Sequence, residues 1–63
     1  NMKFDINKVE VIEVSNVKHW DYPDYEDAYV SIAEYDGEKM SGEMLNELND
    51  SHYKHELVEE YIN

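Results

Sequence analysis

Sixty-three residues make one small domain spanning 1 to 63, and a chain of that length hides only about 60% of its unfolded surface on folding, so its core is thin. Sixteen acids against five lysines and no arginine leave a net charge of −11, which argues against a binder that works by neutralising nucleic-acid or membrane phosphates. With no cysteine there is no disulfide, thiolate metal site or cysteine nucleophile, and stability rests on packing or on self-association.

No apolar run approaches the eighteen or so residues of a membrane span, and no basic-then-apolar leader opens the chain. The expectation is a cytoplasmic protein with no membrane partner. Asn1-Met2 reads as a tag remnant ahead of an initiator methionine. In residues 1 to 20, Lys3, Lys8 and Lys18 balance Asp5, Glu10 and Glu13, whereas residues 21 to 63 hold thirteen acids against Lys39 and Lys54. The acids of this second part alternate with Tyr, Val, Ile, Leu and Met, and 41% hydrophobic content is ample for folding, so the pattern is a folded acidic face rather than a disordered tail.

The first half reads as β. One long strand is expected over about residues 2 to 14, with an irregularity at Asn7-Lys8 favoured over a tight turn there and a slip of the apolar phase between Val11 and Ile12 that calls for a bulge or an edge position. A second strand is expected over about 27 to 35, with Ala28, Val30 and Ile32 on one face and Tyr29, Ser31, Ala33 and Tyr35 on the other. Asp36-Gly37 ends it, since glycine accepts positive φ without steric cost. Met40, Met44, Leu45 and Leu48, then Tyr53, Leu57, Val58 and Tyr61, repeat at helical spacing. They predict two short helices, at about 41 to 49 and 51 to 62, with Ser41 capping the first and Asp50 or Ser51 the second. The fold class is therefore α+β, a β-hairpin with two helices packed on one sheet face. The other face, with Tyr29, Ala33 and Tyr35, is the expected homodimer surface.

The loop from 16 to 26 is long for a hairpin connection and carries His19-Trp20-Asp21-Tyr22-Pro23-Asp24-Tyr25. In a chain this short the size argument favours Trp20 folding back to plug the edge of the core. The competing expectation is a binding loop in which Trp20, Tyr22 and Tyr25 supply rigid amphipathic contact area. Tyr22-Pro23-Asp24-Tyr25, Asp27-Ala28-Tyr29, Asp36-Gly37 and Leu45-Asn46-Glu47-Leu48-Asn49-Asp50, in that order, resemble small acidic proteins of unknown function encoded by tailed phages. The resemblance covers residues 20 to 62 and departs at Gly42, where an acid is expected early in the first helix. It implies an origin and transfers no site.

His52, His55 and Glu59 fall at helical spacing that a metal could use, and Asp21, Asp24, Glu26 and Asp27 could gather a hard cation, but neither set has the pattern of an established motif. The four serines sit in no elbow or triad setting, and two glycines make no phosphate loop. The expectation is a non-enzyme with no cofactor and no metal. Two functions remain. The first is an acidic protein-interaction module, a phage accessory factor binding a host or phage protein through Trp20, Tyr22, Tyr25 and the helix acids Glu43, Glu47, Asp50, Glu56, Glu59 and Glu60. The second is a nucleic-acid mimic that occupies a DNA-binding protein without itself binding DNA.

Overall fold

The computed structural model describes residues 4 to 63. In chain order it contains a 3-10 turn at Ile6–Lys8, strand β1 (Val9–Ser15), a 3-10 turn at His19–Asp21, strand β2 (Tyr29–Tyr35), strand β3 (Glu38–Lys39) and helices α1 (Gly42–Asn49) and α2 (Tyr53–Ile62). The strands form one antiparallel sheet in the order β1-β2-β3, and both helices pack on one of its faces, which is the expected α+β architecture with one strand added.

The expected long first strand is shorter. Residues 2 and 3 of it lie outside the described residues, and Asn7-Lys8 form a turn rather than an irregularity: the Asp5 carboxylate accepts from the Asn7 N–H at 3.1 Å, and the Lys8 N–H donates to the Asp5 carbonyl at 2.9 Å. A short acidic side chain thus offers the backbone a local alternative to the ladder.

The phase slip in β1 is real and has a counterpart in β2. Val11 pairs with Ala33, Glu13 with Ile32 and Val14 with Val30, so Ile12 on one strand and Ser31 on the other are each left without a partner. Each extra residue turns the following side chains over to the opposite face, and because both strands carry one, the register recovers. Val9, Val11 and Val14 consequently all pack on the helix side, as do Val30, Ala33 and Tyr35. The assumed strict alternation of β2 fails at this point. Ala33, placed on the open face from its phase, is fully buried, and Tyr35 is half-buried with its ring edge-on to Phe4 at 5.8 Å. Ile32, assigned inward, faces out.

Asp36-Gly37 ends β2 as expected but also starts a hairpin. Both residues have positive φ, 53° and 85°, the conformation of a two-residue turn that matches strand twist, and Tyr35 pairs with Glu38 across it. Met40 then donates its N–H to the Ala33 carbonyl, so it is buried as an extension of the sheet edge and not as part of the first helix. Ser41 Oγ accepts from the Met44 N–H at 3.2 Å and caps α1. Ser51 joins the helices: its Oγ donates to the Leu48 carbonyl at 2.6 Å and accepts from the Tyr53 N–H at 3.3 Å, a role Asp50 does not share. Leu48, Leu57 and Val58 enter the core as the spacing predicts, whereas Tyr61 stays largely exposed and Ile62 packs in its place.

Asn49 fixes how α1 sits on the sheet. Its Oδ1 accepts from the Val30 N–H at 2.8 Å, and its Nδ2 donates to the Val30 carbonyl at 2.9 Å. β3 is too short to reach this part of β2, so one side-chain amide takes the place of the missing strand.

Candidate functional site

The connection from 16 to 28 is tied down along its length. Asn16, with φ 64°, donates from Nδ2 to the Asp27 carbonyl at 3.2 Å, and Lys18 Nζ meets Asp27 Oδ2 at 3.0 Å. These two contacts close the neck. That hydrogen bond, with the Asp27 charge behind it, holds the Lys18 ammonium above the ordinary lysine range. Further out, the Tyr25 N–H donates to the Asp21 carbonyl at 2.8 Å and the Ala28 N–H to the Tyr25 carbonyl at 3.1 Å. Lys54 Nζ reaches from α2 to the Glu26 carbonyl at 3.1 Å.

Tyr25 is the root of the loop. It packs against the core in a left-handed conformation, φ 47°, that a bulky residue adopts only when its surroundings demand it. The Tyr22 ring stands edge-on to it, with centroids 6.0 Å apart. Tyr22 and Trp20 themselves point outward and are 74% and 79% exposed. The expectation that Trp20 plugs the core is therefore corrected. Tyr25, Phe4 and Tyr35 close the core with aromatic rings already, and the indole is left outside. Asp24, Glu26 and Asp27 are exposed around the two outer rings in the chain.

Glu43, Glu47, Asp50, Glu56 and Glu60 are all exposed, and Glu59 is half-buried. Glu43 and Glu47 lie one turn apart on α1, and Asp50, the residue at its C-terminal end, continues their spacing. On α2, His55 Nε2 lies 2.6 Å from Glu59 Oε2, one turn on, and His55, Glu56, Glu59, Glu60 and Asn63 line a shallow depression. The ring of His52 lies against that of Tyr53 instead, with centroids 4.1 Å apart and the planes tilted by 39°. Among the described residues no three His, Asp or Glu side chains converge as a metal-ligand set. No helix is long and apolar enough to cross a membrane among them either.

Of the residues expected to form a dimer face, Tyr29 alone lies on the open side of the sheet. It is joined there by Ile12 and Ile32, which the bulges turn outward. No amphipathic period could have shown this, because the two bulges break the alternation where it would have to be read.

The chain is thus a small α+β domain, a three-stranded antiparallel sheet under a two-helix layer, displaying an ordered aromatic loop. Comparisons with protein-family models, with curated proteins and with solved structures give no match.

Proposed function

We propose that this is a non-enzymatic interaction module that docks on a cationic surface of a protein partner, with Trp20 and Tyr22 as the contact centre, Asp24 and Glu26 as its rim and the helix acids adding to the charge that draws the partner in. The observation that carries this reading is the exposed indole on a pinned loop. An exposed tryptophan contributes little to folding, whereas a rigid one loses little entropy on binding and buries a large amphipathic area. The acids around it steer a basic partner and exclude acidic ones. The resemblance to acidic proteins of tailed phages fits an accessory factor acting on a host or phage protein.

The test is a pull-down from host lysate with the chain and with its Trp20→Ala/Tyr22→Ala variant, across a salt series and with competitor DNA. A partner retained by the chain, lost by the variant and indifferent to DNA supports the module. Displacement by DNA supports mimicry instead. The dimensions favour the module: duplex DNA carries about 19 charges over 32 Å, the long axis of this molecule, against a net 11 here.

Self-association belongs to the same proposal, through the open sheet face of Ile12, Tyr29 and Ile32. Light scattering at tens of micromolar, in salt high enough to screen like-charged copies, is expected to give twice the chain mass, and Tyr29→Lys to halve it. A monomer under those conditions ends the dimer.

A further inference from the structure

The hydrogen-bonding parity of the sheet identifies a second surface. Asp36 donates its N–H to the Lys8 carbonyl at 2.9 Å, which makes these two residues a hydrogen-bonded pair. In an antiparallel ladder such pairs alternate, so Glu10 and Glu34 form the next one, while Val9 with Tyr35 and Val11 with Ala33 aim their N–H and C=O groups away from each other. On the β2 side those outward groups have partners: Met40 bonds the Ala33 carbonyl, and Tyr35 pairs with Glu38. On the β1 side the Val9 N–H turns back to the Ile6 carbonyl, which leaves the Val9 C=O and the N–H and C=O of Val11 directed off the sheet. Among the described residues no strand pairs with this edge.

Beside the edge runs a groove between β1 and α2, lined by Val9, Glu10, Val11, Leu57, Glu60 and Tyr61. Its lining is mixed, with Val9, Val11 and Leu57 alongside Glu10 and Glu60, and Tyr61, expected in the core, stands 47% exposed at its border. The charged residues of its lining, Glu10 and Glu60, are both acidic. Across the sheet, Lys39 of β3 stands opposite Glu34 of β2, and Glu34 stands opposite Glu10 of β1. Two like charges directly opposite are unfavourable. Lys39 offsets Glu34 from one side, and the corresponding place on the far side of Glu10 belongs to a strand that none of the described residues supplies.

We infer that the free edge of β1 accepts an extended, lysine- or arginine-bearing peptide segment of a partner protein as a fourth strand, with alternate apolar side chains entering the groove against α2. Main-chain bonds to Val9 and Val11 supply the register, and a basic residue beside Glu10 completes a row of charges running plus, minus, minus, plus. A second copy of this chain is the poorer occupant, because its own β1 would bring glutamates to Glu10 and a further net −11 to the edge. The bulge at Ile12 confines the usable edge to residues 9 to 11, which keeps the strand from templating open-ended assembly. This surface is separate from the aromatic loop and does not depend on it.

The probe is a capped Lys-Val-Lys-Val-Lys peptide titrated into the isotopically labelled chain at low salt. Amide shifts are expected at Val9, Glu10, Val11, Leu57, Glu60 and Tyr61, with Trp20→Ala/Tyr22→Ala unaffected. N-methylating the peptide amides that face the edge is expected to weaken binding by about tenfold, the equivalent of one or two lost hydrogen bonds. Glu10→Gln, an exposed change that leaves the fold intact, is expected to weaken it several-fold, and a Glu-Val-Glu-Val-Glu peptide should not bind. Equal affinity of the N-methylated peptide overturns strand addition, because simple charge attraction then suffices. Shifts spread over the loop or over Glu43, Glu47, Asp50 and Glu56 overturn the site, and shifts at Val9 and Val11 that grow with protein concentration alone assign the edge to a second copy.

Discussion

The Asn49 side chain satisfies the edge of β2 where no strand does. Its amide bonds both the N–H and the C=O of Val30, a residue with almost no exposed surface, so truncation strands two buried backbone groups at once. Asn49→Ala is expected to cost about 2 to 4 kcal/mol in urea melts, one desolvation penalty for each group. Asn49→Asp should cost at least as much, because it replaces the donor with an acceptor that faces the Val30 carbonyl. The opposite holds for Trp20. With the indole 79% exposed, Trp20→Ala should move stability by no more than about 0.5 kcal/mol, as surface changes do, whereas a tryptophan plugging the core would cost several. A thermal melt separates the two outcomes cleanly.

Among the elements, the helices hold the sheet together more than they hold themselves. Leu48 and Leu57 are buried in the core between the helices and the sheet, and each change to alanine is expected to cost about 2 to 4 kcal/mol. A domain of this size has on the order of 3 to 9 kcal/mol in total, so circular dichroism should show Leu48→Ala much weakened or unfolded at room temperature. Gly42 is the weak point of α1, yet a Cβ there would meet nothing within 4 Å and its φ is not positive. Gly42→Ala should therefore raise stability by about 0.4 to 1 kcal/mol, by restricting the unfolded chain. No gain in the urea midpoint would mean that the first turn of α1 does not form in solution.

For the molecule as a whole, charge is the dominant variable. Five lysines cannot neutralise sixteen acids, and among the described residues Lys18 is already engaged with Asp27 and Lys54 with a backbone carbonyl. At about 10 mM salt the Debye length, roughly 30 Å, spans the molecule's 32 × 21 × 19 Å, and every carboxylate feels the others. Raising sodium chloride to about 300 mM shortens that length several-fold and should raise the melting temperature. A fall instead would show that ion pairs, not repulsion, set the balance.

Much of this was legible in the residues themselves, and the parts that were not share one cause. Helical spacing of Leu48, Leu57 and Val58, the Ser41 cap, the β-branched run of β1 and the bulge at its centre are local signals, set by periods of 3.6 and 2 and by side chains that bond their own backbone. The β3 hairpin was also written locally, in Asp36-Gly37, but reads there only as an end. What the tertiary structure alone decided depends on partners distant in sequence. The second bulge, at Ser31, exists because β2 must stay in register with β1, and it is what sends Ala33 inward and Ile32 outward. Asn49 finds Val30 only once β3 stops short. Trp20 is left outside while Phe4, Tyr25 and Tyr35, brought together from three parts of the chain, close the core, and a side chain's burial depends on which distant neighbours the fold sets against it.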